Sequence, residues 1–306
     1  MDQVTFGRTG LRVSRLAFGA GPIGYLGADA DRAAEVLGFL LDQGVNVIDT
    51  AAAYLGSEEL IGGAVAHRRG DFVLLSKCGR KLPDVPGEDW SADVVTRTVD
   101  RSLRRLRTDH LDVMLLHTCP LEVLKAGEAL GALLRAKEAG KIRFAGYSGD
   151  NAAAAYAAEL PGVDVLMCSA NLVDQANLET ALPAAARGGQ GVILKRTVAN
   201  ACWKPLEAQE GIYRDYVKPY VDRFKAMGLD PEDLGGQGPD PWPELALRFS
   251  LALAGPHVLS IGTTRRESAE ANLRILARGP LPAPAVARIR EAFARARGTA
   301  DWPGLT

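Results

Sequence analysis

The sequence predicts an α/β fold of the (β/α)8 TIM-barrel class, as a single domain over residues 1–306. Three observations carry that reading. Eight β-like runs alternate with eight helical patterns, the runs are rich in Val, Ile and Leu with little polar alternation, and 306 residues is near the usual length of such a barrel. Strands that are apolar throughout are buried on both faces, as parallel strands beneath a helical layer must be.

The elements follow in order. VTFGRTGLRVSRLAFG holds two short β-like runs around a Gly-Arg-Thr-Gly turn, an N-terminal hairpin able to plug the barrel's bottom, and then the first barrel strand, LAFGA. A helical pattern from Asp31 to Gln43 leads to strand VNVID, and a second helix starts near Ser57, a candidate N-cap. Next come FVLLS, the helix SADVVTRTVDRSLRRL, LDVMLLH, and one long helix VLKAGEALGALLRAKEAG that stops at Gly140. Strands IRFAGYS, VDVLMCS, GVILKR and HVLSIG then alternate with helices DNAAAAYAAEL, ANLETALPAAARG, PELALRFSLALAG and RESAEANLRILA. APAVARIREAFARARG is an extra C-terminal helix, expected to pack outside the eight. Between strand seven and its helix, Thr197 to Trp242 is far longer than a usual connection. It holds a helical piece from Tyr213 to Met227 and reads as a lid or substrate wall.

Composition narrows the classes of function. A formal net charge of −1 argues against nucleic acid or an anionic membrane as partner, and no apolar run is long enough to span a bilayer. The basic stretch from Arg97 to Arg107 reads as a solvated helix face. Cys78, Cys119, Cys168 and Cys202 are far apart and form no CxxC pair, so neither disulfides nor a metal site is expected, and a reducing cytoplasm fits. Cys78 and Cys119 follow Lys77 and His117 closely and are expected near the same pocket, as small buried fillers.

Gly19, Gly21 and Gly24 match the dinucleotide fingerprint GxGxxG, but Pro22 interrupts the turn, no helix is expected directly after it, and a hairpin precedes it. These glycines read instead as a place where backbone approaches a ligand at the mouth of strand one.

The candidate chemistry lies at strand ends. VNVIDT ends on Asp49, VLLSKC carries Lys77, LDVMLLHT carries His117, and Tyr54 lies just beyond the first of these. Carboxyl ends of barrel strands converge on one face. A lysine and an aspartate buried there are costly unless paired. A lysine cation beside a phenol favours the phenolate, which makes the phenol a better acid. Such a set could protonate a carbonyl oxygen while another group delivers hydride to the carbon, His117 donating a hydrogen bond to the oxygen.

On these segments the chain resembles the aldo-keto reductase family. FGRTGLRVSRLAFG, DTAAAYLGSEELIG, SKCG, LDVMLLH, GKIRFAGYS and PELALRFSLALAGPHVLSIGTT, with Asn272 and Leu273 beyond, match its motifs in order over nearly the whole length. The resemblance implies an oxidoreductase reducing an aldehyde or ketone to an alcohol, with Tyr54 as general acid, Lys77 tuning it, Asp49 pairing with Lys77, and His117 orienting the carbonyl. It implies NADP(H), more than NAD, lying extended across the mouth near Gly19, Ser148, Asn171, Gly262, Thr263 and Asn272, with Arg265 and Arg266 at the adenosine 2′-phosphate. Helix N-terminal amides there suit an anion.

The chain departs from the family at the carboxamide side. Gly149 stands for the usual asparagine, with Asn151 as a substitute; Met167 replaces a glutamine, Ala170 a tyrosine, and Ser268 and Ala271 replace an arginine and an acid. LKRTVANACW brings Lys195 and Arg196 where a stacking aromatic is expected. Contact with cofactor phosphates or an acidic substrate is the favoured reading of that pair; an internal ion pair with a carboxylate is the other. A small hydrophobic carbonyl compound is the expected partner, with Trp203, Trp242, Tyr25 and Tyr213 as pocket walls, and the oligomeric state is left open. Two rival readings stay alive. One is a nicotinamide-binding sensor or regulatory protein with little turnover; the other is a Schiff-base lyase using Lys77 or Lys195.

Overall fold

The chain is described from a computed structural model, which covers residues 1–209 and 213–305, the side chains of Tyr213 and Asp215 excepted. A hairpin of β1 (Gln3–Thr5) and β2 (Arg12–Ser14) opens it. Eight parallel strands follow: β3 (Leu16–Gly19), β4 (Val47–Asp49), β5 (Val73–Cys78), β6 (Leu111–His117), β7 (Ile142–Ser148), β8 (Val165–Ser169), β9 (Gly191–Lys195) and β10 (Val258–Ile261). They close in the order β10-β3-β4-β5-β6-β7-β8-β9. This is the (β/α)8 barrel expected.

Short helix α1 (Gly21–Tyr25) lies at the exit of β3. The outer layer is α2 (Ala30–Asp42), α3 (Ser57–Val65), α4 (Ala92–Leu106), α5 (Leu121–Ala126) with α6 (Glu128–Glu138), α7 (Asn151–Ala157) and α8 (Ala181–Gly188). After β9 come α9 (Tyr213–Met227) and α10 (Trp242–Ala252), and after β10 α11 (Arg266–Ala277) and the surplus α12 (Ala283–Arg297). Among the described residues no helix is long and apolar enough to cross a membrane.

Four local expectations are corrected. A helix does begin at Gly21, because Pro22 sits in its first turn, where proline's fixed φ is preorganised and its missing N–H costs nothing. Ser57 is not a cap: Gly56, at φ 67°, precedes the helix, and the buried Ser57 hydroxyl pairs with Thr50 Oγ1 at 2.6 Å. The helix ending at Gly140 is two, because Gly127 turns left-handed (φ 78°) between α5 and α6. Arg101 is not on a solvated face: it is buried and ion-paired with Glu58 at 3.2 Å and Asp84 at 2.8 Å. Ser91 caps α4, its hydroxyl accepting from Val94 N–H at 3.3 Å.

Two apolar compartments hold the fold together. One lies between strands and helices. The other fills the barrel, where Phe6, Leu11 and Val13 from the hairpin segment meet Ala17, Val47, Leu75, Val113, Leu115, Val165, Met167, Ile193 and Val258. The plug fits closely. A Cβ on Gly191 would lie 2.8 Å from the Phe6 ring, and Gly7, at φ 52°, passes so near Gln190 that no side chain fits.

The register decides what lines the mouth. Side chains alternate along a strand, so stepping two residues beyond those inward apolar positions gives Gly19, Asp49, Lys77, His117, Ser169, Lys195 and Ser260, and on β7 the phase of Phe144 and Gly146 gives Ser148. Every strand thus contributes a glycine or a polar side chain to the top layer. Cys78, one residue out of phase with Lys77, packs in the helical layer instead of the pocket.

Candidate active site

Lys77 is the centre of the first cluster. Its side chain is 1% exposed, and its Nζ donates to Asp49 Oδ1 at 2.6 Å, to the Thr50 carbonyl at 2.8 Å and to the Tyr54 hydroxyl at 3.4 Å. Burial alone would lower the ammonium's pKa; Asp49 and Tyr54 outweigh it, and the pKa is raised. Asp49 also accepts from Ser260 Oγ at 3.3 Å, so β10 helps hold it.

Tyr54 is placed by packing. Its ring meets Tyr25 edge-on at 5.5 Å and His117 at 5.9 Å. Gly24 in α1 lies against the same loop, and a Cβ there would approach Leu55 O to 2.9 Å. Gly24, the last glycine of the pattern that resembles a dinucleotide fingerprint, therefore lets α1 pack on the Tyr54 loop.

His117 is held neutral. Burial, then Lys77, Lys195, Arg80 and Arg196, push its pKa well below the ordinary 6.5. A neutral imidazole can donate one N–H to an oxygen without bringing a second cation beside Lys77. The four strand-end residues are thus one constellation.

Behind it, Glu58 accepts from Ser76 Oγ at 2.7 Å and pairs with Arg101, which also bonds the Ala52 carbonyl. Burial raises the Glu58 pKa. This buried pair fixes the backbone between Asp49 and Tyr54 and was not picked out from sequence. Its signal was Arg101's helical phase, which puts it on the core side of α4.

Across the barrel stands a second lysine–carboxylate pair. Lys195 Nζ lies 2.8 Å from Asp150 Oδ2 and Arg196 3.7 Å from the same oxygen. Asp150 also accepts from Ser169 N at 2.7 Å and Asn177 Nδ2 at 2.8 Å. Burial would raise its carboxyl, but Lys195 and Arg196 dominate and hold it low. Burial, together with the neighbouring Arg196, lowers the pKa of Lys195 although Asp150 raises it. Successive side chains normally point apart; Arg196, at φ 59°, turns the chain so that both cations reach one carboxylate. The geometry is the internal ion pair, the reading less favoured from sequence, and Asp150 in GYSGDN is the residue that sequence reasoning passed over.

Asn151 is likewise occupied elsewhere: its side chain bonds both N–H and C=O of Gly304. Segment Trp302–Leu305 straps the rim between β7 and β9. Leu305 O accepts from Arg196, Ser169 and Tyr220, and Leu305 N donates to Asp174 at 2.9 Å. Burial, then Asp150, raises the Asp174 carboxyl to about 7. Since an unfolded aspartate titrates near 4, the folded state holds the extra proton between about pH 4 and 7, and stability falls as pH rises through that window. Asp174→Asn should gain on the wild type by on the order of 2–4 kcal/mol between pH 5 and pH 8. Urea midpoints at the two pH values would test this; a constant difference would refute it.

The remaining expected cofactor positions are at the rim. Ser148 ends β7, beside His117 in register. Asn171 is buried, its Oδ1 accepting from Val173 N and Asp174 N while its Nδ2 has no partner among the described residues. Gly19 faces Ser260, where a Cβ would come within 2.8 Å of Oγ. Thr263 Oγ1 braces Arg265, which precedes α11; Gly262 precedes them, and Asn272 lies half-buried within the helix. Arg266 is paired with Glu270 at 3.1 Å and lies over Phe39, whereas Arg265 has no ion pair among the described residues. Of the expected walls, Tyr25 meets Tyr54, whereas Trp203 stacks on Trp242 at 6.5 Å and both pack on the helical-layer core. The Tyr213 side chain lies outside the described residues.

Known proteins share this fold. The fold matches the holo form of aldo-keto reductase AKR11C1 from Bacillus halodurans with a TM-score of 0.79 and 26% identity, over 95% of this chain and 96% of that one. L-galactose dehydrogenase of Arabidopsis thaliana is 35% identical over 152 residues, 47% of each chain. The 6-dehydroglucose reductase of Novosphingobium aromaticivorans is 31% identical over 152 residues, 46% of this chain and 49% of its own. The chain thus spans about half the length of the curated relatives it matches. The model of the Aldo/keto reductase family matches residues 15–294, which takes in all eight barrel strands and the whole Asp49–Tyr54–Lys77–His117 cluster. With that match and that cluster, the chain belongs to the aldo/keto reductase family.

Proposed function

We propose that this protein is an oxidoreductase that reduces an aldehyde or ketone with NADPH. The observation that carries the reading is the bond from Lys77 to both Asp49 and the Tyr54 hydroxyl, with neutral His117 against the same tyrosine. A nicotinamide supplies hydride to the carbonyl carbon when it is bound. Tyr54 donates its hydroxyl proton to the carbonyl oxygen, Lys77 stabilises the phenolate left behind, and Asp49 keeps Lys77 charged and in place. His117 donates an N–H to that oxygen and orients it.

The residues present fit the cofactor. An unpartnered buried amide donor costs about 1–3 kcal/mol, so Asn171 Nδ2 asks for an acceptor at the rim. At Gly19 a Cβ would collide with the Ser260 hydroxyl, so the glycine lets Ser260 reach Asp49 at the mouth. Ser148, Asn171, Gly262, Thr263 and Asn272 would hold the dinucleotide, and Arg265, with the first amides of α11, would take a 2′-phosphate, which favours NADP over NAD. Lys195 and Arg196 would act there through Asp150, shaping the wall.

Relatives named for sugars, among them L-galactose dehydrogenase, 6-dehydroglucose reductase and D-arabinose 1-dehydrogenase, support a polar carbonyl compound in place of a hydrophobic one. Four buried, unbridged thiols fit a cytoplasmic setting. The test is titration of NADPH and NADH against tryptophan fluorescence, then absorbance at 340 nm with a panel of aldehydes and ketoses. Turnover with NADPH at the lower Kd is expected. Tight binding without turnover on any compound would mark a sensor instead.

A further inference from the structure

Lys77, Lys195, Arg80 and Arg196 all bear on His117. Three of them answer to buried carboxylates: Lys77 to Asp49, and Lys195 and Arg196 to Asp150. Arg196 is further committed to Ser169 Oγ, the Leu305 carbonyl and the face of Tyr216. Arg80 alone of the four has no carboxylate within ion-pair distance among the described residues, and it is exposed.

Its place is built. Arg80 lies three residues beyond Lys77, at the exit of β5. The loop folds back there: Trp90 N donates to the Gly79 carbonyl at 2.5 Å, and Gly79, at φ 107°, sits so close to the indole that a Cβ would come within 2.5 Å of it. The guanidinium lies over that indole, 5.5 Å from the ring centroid. Stacking on an aromatic face restrains an arginine and leaves its in-plane N–H donors free for a planar, doubly accepting anion.

The barrel also settles which ligand is in reach. β5 is four strands from β9 in either direction round the eight-stranded ring, so the two lie opposite. The cofactor positions proposed above lie at the exits of β3 and of β7 to β10. Arg80 is on the far rim, beside the loop that carries Tyr54.

We propose that Arg80 is a specificity-determining residue for a substrate that carries a carboxylate remote from its reacting carbonyl. This rests on the carbonyl-reductase reading for the reaction, but the anion site itself does not. The carboxylate sits bidentate on the guanidinium above Trp90, and the other end of the molecule reaches Tyr54 and His117.

Two matched pairs test it: 4-carboxybenzaldehyde against methyl 4-formylbenzoate, and succinic semialdehyde against methyl 4-oxobutanoate. In each pair only the charge and one methyl group differ. The wild type is expected to prefer the acid by about tenfold or more in kcat/KM in at least one pair, a ratio that falls with added salt. Arg80→Gln should bring that ratio toward one, and Arg80→Lys should keep part of it. No preference in either pair, or a preference that Arg80→Gln retains, overturns the proposal. Binding is read separately, with 4-(hydroxymethyl)benzoate against tryptophan fluorescence. Saturable binding that Arg80→Gln weakens about tenfold supports the site even if no aldehyde turns over, an outcome that would defeat the reductase reading alone. Equal binding by both proteins overturns the site.

Discussion

Tyr54→Phe should lower carbonyl reduction by about 10²- to 10⁴-fold while leaving the cofactor's Kd nearly unchanged. The substitution removes one oxygen and keeps the ring. The edge contacts with Tyr25 at 5.5 Å and His117 at 5.9 Å are made by the ring, so Phe should occupy the same place. Lys77 loses its weakest contact, the one at 3.4 Å, and keeps those to Asp49 and Thr50. The fold should therefore persist, and the loss should appear in kcat with little change in thermal midpoint. Single-turnover reduction at saturating NADPH isolates the step. An undiminished rate there would mean that another group delivers the proton.

Lys77→Met should have the largest effect on stability, about 3–5 kcal/mol, and should abolish reduction as well. Asp49 is 4% exposed and would keep only the Ser260 hydroxyl at 3.3 Å, too little to solvate a buried carboxylate. The raised pKa of Lys77 makes its contribution fully present below the ordinary lysine value and lost only as pH rises through the folded one, so neutral pH reads the whole effect. The double variant Lys77→Met/Asp49→Asn separates the two roles. It removes both charges and should recover most of the urea midpoint without recovering activity. If the single variant were as stable as the wild type, the pair would not be holding the mouth together.

These two residues were legible because their cost is local. A lysine and an aspartate ending apolar strand runs must pair or destabilise the fold, and eight alternating runs say where they meet. The hairpin plug, the surplus helix and the long segment before α10 were legible on the same grounds of periodicity and turn chemistry. Lys195 and Arg196 were visible too, but their use was not. Nothing in LKRTV tells whether the cations face outward to a ligand or inward to a carboxylate 45 residues away.

That choice belongs to tertiary structure. The left-handed turn at Arg196 and the registers of β7 against β8 and of β8 against β9 bring Asp150 within reach of both cations, and Gly304 takes up Asn151 from the other end of the chain. Arg101 followed the same rule, its burial decided by Glu58 and Asp84 on separate elements. From sequence alone came the barrel and the Asp49–Tyr54–Lys77–His117 set, because strand periodicity and strand-end position are properties of contiguous residues. Which cations remain free to meet a ligand depends on where distant carboxylates fall. Only the closed barrel decides that.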